Sequence, residues 1–300
     1  MKSKLLQNIW ILFFGISISM GAQDLLSKLD KELNENSLKA LPAFKTTRIS
    51  IGHSVETRPA GSLEIAAVNR FWNIPNQQTQ RFLADEVNTR FSLEYSISDR
   101  LTIGGGTSTF DGLWDGFVKY RLVYQSADSK KSPFSITLFQ NISYNDGEFS
   151  DQLYAAAAGQ SITAYTTQVL IARKFNPNLS IQVTPTLVQR SDVVWASDPK
   201  TQFAVGLGFR HKISKHASIV SEYYYVANPI ESRNTYDAFA VGLNWEVSDL
   251  MLQFNITNAR NVVEDAFITR TTNNFNFHDG NFHFGFGATL VLHFKENKLD

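Results

Sequence analysis

The run that most constrains this chain is its last one, Phe282-His283-Phe284-Gly285-Phe286-Gly287-Ala288-Thr289-Leu290-Val291-Leu292-His293-Phe294. Side chains along a strand alternate sides. Phe282, Phe284, Phe286, Ala288, Leu290, Leu292 and Phe294 therefore share one greasy face. The other face carries His283, Gly285, Gly287, Thr289, Val291 and His293, mostly small or polar. A strand of this kind, aromatic at both ends and apolar on one side, suits the closing strand of a membrane barrel. A half-buried strand of a soluble sandwich has the same period, so the decision rests on the rest of the chain.

Spacing carries the argument further. Strand-like alternation recurs at 62–71, 87–97, 101–109, 117–125, 134–144, 165–175, 179–190, 201–212, 217–226, 237–247 and 250–258. The connectors segregate by length. Those at 176–178, 214–216 and 248–249 are tight, whereas 145–164, 191–200, 229–236 and 259–281 are long. Short turns at one end and long loops at the other mark an outer-membrane barrel, with the turns in the periplasm. A soluble meander has no reason to sort its loops this way.

The polar face decides which side is inside. It collects Arg90, Glu94, Lys119, Arg121, Arg210, Glu222 and Glu246, while the opposite face of the same strands is free of charge. A mid-plane Arg or Lys facing lipid costs ~2–4 kcal/mol, so the charge-free face is the outer one. Tyr95, Tyr120, Tyr124, Tyr144, Tyr223, Tyr225 and Trp245 fall near strand ends, where aromatic girdles meet headgroups. The seven charged residues become the candidate lumen and solute-binding set. Their default state is cross-strand pairing, because a lone buried charge is costly. Gly104 and Gly106 are expected to leave room for the side chains of Arg90 and Lys119.

With 48–56 included there are thirteen strand-like segments, one too many for a barrel with both ends on one side. The reading is an all-β, transmembrane, antiparallel up-and-down barrel of about twelve strands, with fourteen as the alternative. The surplus segment 48–56 is placed in the lumen or at the periplasmic rim. Residues 44–295 form the barrel. Residues 1–22 read as a secretory signal: a basic start, an apolar run from Leu5 to Met20, then Gly21-Ala22. Cleavage falls after Ala22 or after Gly21. Residues 23–43 read as a short amphipathic helix or tail, with Leu25, Leu26, Leu29 and Leu33 on one face.

Certain classes drop out. There is no cysteine, so disulfides and thiolate metal sites are excluded. Lys plus Arg and Asp plus Glu are both 28, which argues against a nucleic-acid partner. Gly104-Gly105-Gly106 lacks the Lys and helix of a phosphate loop. His211, His216, His283 and His293 are not at metal-ligand spacing with carboxylates. No metal site, catalytic residue or cofactor is assigned. His53-Ser54 with Glu56, and His278-Asp279 with Asp111 and Asp115 in outer loops, are the pairings that suggest hydrolysis; adjacent His and Ser point to opposite faces of a strand, and loops rich in Asn, Asp and Gly give the second kind by chance.

Several motifs resemble an uncharacterised outer-membrane β-barrel family of Bacteroidota, a domain of unknown function. They are Thr47-Arg48-Ile49 with His53-Ser54-Val55-Glu56, Gly61-Ser62-Leu63-Glu64 leading to Asn69-Arg70-Phe71, and Asp115-Gly116-Phe117-Val118-Lys119-Tyr120. The resemblance covers mainly 44–125. It implies the outer membrane of a Gram-negative bacterium, in contact with its lipid and lipopolysaccharide, and brings no substrate. The functional expectation is a narrow channel or binder for a small solute. The alternatives are an enzyme sited in the long loops and a structural barrel with a sealed lumen. Oligomeric state is left open.

Overall fold

The computed structural model describes residues 42–73, 85–126, 132–145, 161–276 and 282–294. The expected signal at 1–22 and the helix at 24–33 lie outside the described residues. So do most of loop 145–164 and the pair His278-Asp279.

The strands are β1 (Ser62–Trp72), β2 (Glu86–Ser96), β3 (Leu101–Ser108), β4 (Trp114–Val123), β5 (Ser135–Asn145) and β6 (Ile162–Lys174). They continue with β7 (Leu179–Arg190), β8 (Thr201–Lys212), β9 (Ala217–Val226), β10 (Ala238–Val247), β11 (Leu250–Thr257) and β12 (His283–His293). Each pairs antiparallel with its sequence neighbours, and β1 pairs with β12, so the sheet closes with no free edge. Closure lets every mid-wall backbone group bond to another strand, which hydrocarbon demands.

The expected alternation holds strand by strand. In β2, Asn88, Arg90, Ser92, Glu94 and Ser96 are buried inward, while Phe91, Leu93 and Tyr95 are exposed outward. In β8, Phe203, Val205 and Leu207 face out; in β12, Phe284 and Phe286 stand outward of buried His283 and Gly285. The outer wall is the apolar one. Trp114, read from sequence as part of a connector, begins β4 and stands exposed beside Tyr144. With Tyr223 and Tyr225 it contributes to the girdle at the long-loop end. Tyr95, Tyr120 and Trp245 lie toward the other end.

Tight connections at 97–100, 175–178, 213–216 and 248–249 share one end of the barrel. At 248–249 the turn needs only two residues, with Ser248 at φ 55°. The β3–β4 link at the opposite end turns on Asp111 and Gly112 at φ 61° and 53°. Both then adopt the left-handed conformation that suits Asp-Gly in a tight hairpin.

The segment 48–56 is not a strand. Its one ladder contact is an isolated bridge between Arg48 and His53. Residues 43–56, except the half-exposed Lys45, are buried inside the barrel, so the parity difficulty disappears: twelve strands cross, and the surplus segment fills the bore. Sequence alternation misleads here because apolar and polar side chains are both buried, the first against apolar patches of the wall and the second against polar ones. A short helix, α1 (Glu264–Thr269), fills the bore from the β11–β12 connection, with all six residues buried.

Two finer expectations need correction. At Gly106 a Cβ would strike the Arg90 guanidinium at 2.9 Å, as expected, but at Gly104 it would strike the Phe117 ring at 2.5 Å rather than Lys119. Asp115, read as an outer-loop residue, belongs to β4 and pairs with Arg90 inside the wall.

Candidate functional site

The inserted segment enters from the tight-turn end, and its two limbs are clamped there. Lys45 Nζ lies 2.6 Å from Glu246 on β10, and Arg58 lies 2.7 Å from Glu64 on β1. Glu56 joins the limbs. Its Oε1 accepts the backbone N–H of Ala43 (2.8 Å) and Phe44 (3.2 Å), while its Oε2 takes Arg121 Nη2 at 2.5 Å.

Deeper in, wall side chains grip the segment by its backbone. Glu222 Oε2 accepts the N–H groups of Ser50, Ile51 and Gly52 at 2.8, 2.6 and 3.1 Å. Three successive N–H groups converging on one anion form a nest. They offset the cost of burying the carboxylate, since a charge-assisted bond contributes ~1.5–3 kcal/mol. Tyr224 donates its hydroxyl to Glu222 Oε1 at 3.1 Å. Gln182 reads both groups of a turn, accepting from Val55 N (2.7 Å) and donating to His53 O (2.8 Å). Arg121 and Thr137 donate to Val55 O, Lys119 donates to Thr47 O, and Asn244 and Gln253 donate to Ile49 O.

Apolar contact completes the seal. Ala43, Phe44, Ile49 and Val55 cluster with the inward-facing Phe117, Phe139, Leu170, Ala172 and Val220. Gly208 lies so close to Ile49 that a Cβ there would stand 2.5 Å from its Cδ1. Ile51 joins Tyr224, Ala240, Phe267 and Ile268, and so meets α1. The expected wet bore is therefore a packed one over this stretch.

The two insertions also meet through charge. Arg48 Nη1 donates to Glu264 Oε1 on α1 at 3.0 Å, and His53 Nε2 lies 3.5 Å from the same oxygen. Burial pushes the Glu264 carboxyl up, against the opposing pull of Arg48. Burial first, then Arg48, Lys119 and Arg90, hold the His53 imidazole well below its ordinary value, so the ring is neutral. It packs edge-on to Phe117 and tilted against Phe139, with centroids 4.7 and 4.4 Å away.

All seven residues expected to line the lumen face inward. The structure gathers Lys119, Arg121, Arg210, Glu222 and Glu246 onto the inserted segment, with Arg210 Nη1 3.4 Å from Ala43 O. Glu94 sits 4.0 Å from Arg48, and Arg90 is bound in a two-pronged pair with Asp115 at 2.9 and 2.6 Å. Sequence reading missed Glu56, Glu64, Gln182, Tyr224 and Glu264. One signal was present: Phe117, Phe139, Leu170 and Val220 occupy inward positions, where a water-filled bore would be polar.

The pairing of His53 with Ser54 yields no catalytic geometry. The hydroxyl of Ser54 donates to the carbonyl of Thr46 while the imidazole turns to the aromatic pair, and both residues are fully buried. No cluster of His, Asp and Glu suited to a metal ion occurs among the described residues.

Over residues 44–292 the chain matches the family model described as a membrane-bound β-barrel domain (DUF5777). No curated protein matches it. Similar solved structures include the KdgM porin, at 11% identity and TM-score 0.47, covering 77% of this chain and 99% of that one. An outer-membrane channel from Pseudomonas putida F1 has 12% identity and TM-score 0.45, covering 79% and 98%. Outer-membrane phospholipase A from Escherichia coli has 12% identity and TM-score 0.43, covering 76% and 92%. Porin, channel and phospholipase stand side by side at these values, and none lends its activity to this chain.

Proposed function

Because the chain belongs to the DUF5777 family of membrane-bound β-barrel domains, we propose that it is a gated passage for a small solute, closed here by its own residues 43–56. The address is the outer membrane, with lipid and lipopolysaccharide against the apolar wall. The motifs at 47–56, 61–71 and 115–120 favour a Bacteroidota source.

One observation carries the reading: the wall holds the inserted segment chiefly through that segment's backbone. Glu222, Gln182, Arg121, Thr137, Asn244 and Gln253 all bond to N–H or C=O groups. Water or a polar solute can replace such partners one for one, so the wall beneath the plug is suited to being wet. Net hydrogen-bond contributions of ~0.5–1.5 kcal/mol each keep the exchange within reach. When the plug withdraws, Lys119, Arg121, Arg210 and Glu222 become the solute-facing set.

The packing of Phe44, Ile49 and Val55 against Phe117, Phe139 and Leu170 favours a second reading, a permanently sealed structural barrel. A thiol lock separates the two. The chain has no cysteine, and Ile49 and Gly208 are in contact, so Ile49→Cys with Gly208→Cys supplies the only thiols. In planar bilayers the reduced double variant is expected to show discrete conductance steps and the oxidised form none. Silence in both states, with the barrel folded, favours the sealed one.

A further inference from the structure

The cations of the bore are not all treated alike. Arg48 has Glu264, Arg90 has Asp115 and Arg121 has Glu56. Arg70 on β1 has no carboxylate partner among the described residues. It is 1% exposed, and among the described residues its one hydrogen bond runs from Nη1 to the carbonyl of its neighbour Asn69, at 3.1 Å. Its Nε and Nη2 are buried without a partner.

The strand register shows what surrounds it. Arg70 stands in a row with Asn88 on β2, Gly285 on β12 and, beyond that, Asn255 on β11. Its guanidinium leans across Gly285, where a Cβ would stand 2.6 Å from Nη1 and 2.0 Å from Asn255 Oδ1. That Oδ1 is also buried and unpartnered. An amide oxygen and nitrogen can exchange places, so a half-turn of Asn255 would aim two donors at the same point as Arg70. Toward the long-loop end the next row is closed by Trp72, whose ring packs edge-on to Phe110 and His283 beneath the Arg260 guanidinium.

The charged groups that act on Arg70 are Arg48, which repels it, and Glu222, which is already committed to the plug's tip. Burying a charge costs several kcal/mol unless a counter-charge or full hydrogen bonding offsets it. A water molecule would answer the free donors but not the charge. Arg70 Nη1 and Asn255 Oδ1 already crowd the point over Gly285, at 2.6 and 2.0 Å from it, so an anion is held instead by the free Nε and Nη2 and has to be small. We propose that Arg70, with Asn255 beside Gly285, holds a monovalent inorganic anion of halide size. The site stands apart from solute passage and exists whether or not the plug moves.

The test uses the full-length protein folded in detergent with bromide as the probe, so that entry past a closed plug is not required. Anomalous diffraction at the bromine edge is expected to place a bromide against the Arg70 guanidinium. Arg70→Met, shown to be folded by its heat-modifiable band, is expected to lose that peak and keep any surface peaks. In parallel, wild type unfolded by denaturant at matched ionic strength should be stabilised by chloride over gluconate. At a hundredfold excess over Kd the folded-to-unfolded ratio rises about a hundredfold, and Arg70→Met should not respond. A map showing only water at Arg70 while bromide occupies surface sites overturns the proposal. Equal unfolding of wild type in chloride and gluconate does the same. Neither outcome bears on conductance.

Discussion

Residues 43–56, at the periplasmic end of the bore, are held by their backbone: Glu222 takes three consecutive N–H groups, and Gln182, Arg121, Asn244 and Gln253 take most of the rest. At the outer end, α1 is held by side chains. Asp265 accepts from Ser143 at 2.7 Å and from Arg270 at 3.1 Å, and Arg190 reaches Thr269. Phe267 packs edge-on to Tyr224 at 5.2 Å. The two insertions also differ in place along the chain: α1 lies between β11 and β12, and the plug leads into β1. Backbone recognition lets solvent replace the polar contacts of the plug, while its apolar side chains and ion pairs add to its hold. Side-chain recognition ties α1 to particular wall residues. The proposed movement is given to the plug on the strength of this asymmetry.

The largest effect should come from deleting residues 42–56. Conductance that stays open, where the wild type opens only in discrete steps, is expected in planar bilayers; a variant that folds and stays silent would show that α1 and its loop close the bore unaided. Next in size, Phe267→Ala should loosen α1 by ~3–5 kcal/mol, the usual cost of emptying a buried aromatic site. Hydrogen exchange is expected to speed at 264–269 and hold steady at 50–52; joint acceleration would make the two insertions one cooperative unit. Glu222→Gln should cost ~1.5–3 kcal/mol by removing a charged acceptor from three donors. The amides of Ser50, Ile51 and Gly52 should then exchange roughly 10- to 100-fold faster, and unchanged rates there would count against the nest as the plug's main latch. The smallest effect tests the link between the insertions. Arg48→Met and Glu264→Gln should be non-additive by ~0.5–3 kcal/mol in a double-mutant cycle, and strict additivity would separate the two bodies.

Much of the wall was legible because it is a local property. Whether Phe91 and Arg90 lie on opposite faces follows from the pleat alone, and the same period runs through β8 and β12. The segment 48–56 failed on that test for a physical reason. Alternation reports two different environments, and Ile49 and Ser50 do meet different environments, but both lie inside the barrel. Asp115 was misplaced because Asp-Gly nearby signals a turn, and the turn falls at Asp111-Gly112 instead. The candidate lumen residues were identified by charge, yet their partners were not, since Glu222 meets the plug across a separation of more than 170 residues.

Sequence alone determined a closed wall of alternating strands, its greasy side, and the sorting of its turns and loops, all of which follow from backbone geometry acting over a few residues. Only the tertiary structure decided that the bore is occupied and by what, because the contacts that fill it form between groups distant along the chain and exist only once the sheet has closed around them. Arg70 belongs to that second kind: its charge is plain in the sequence, and its lack of a counter-charge among the described residues emerges only from the tertiary structure.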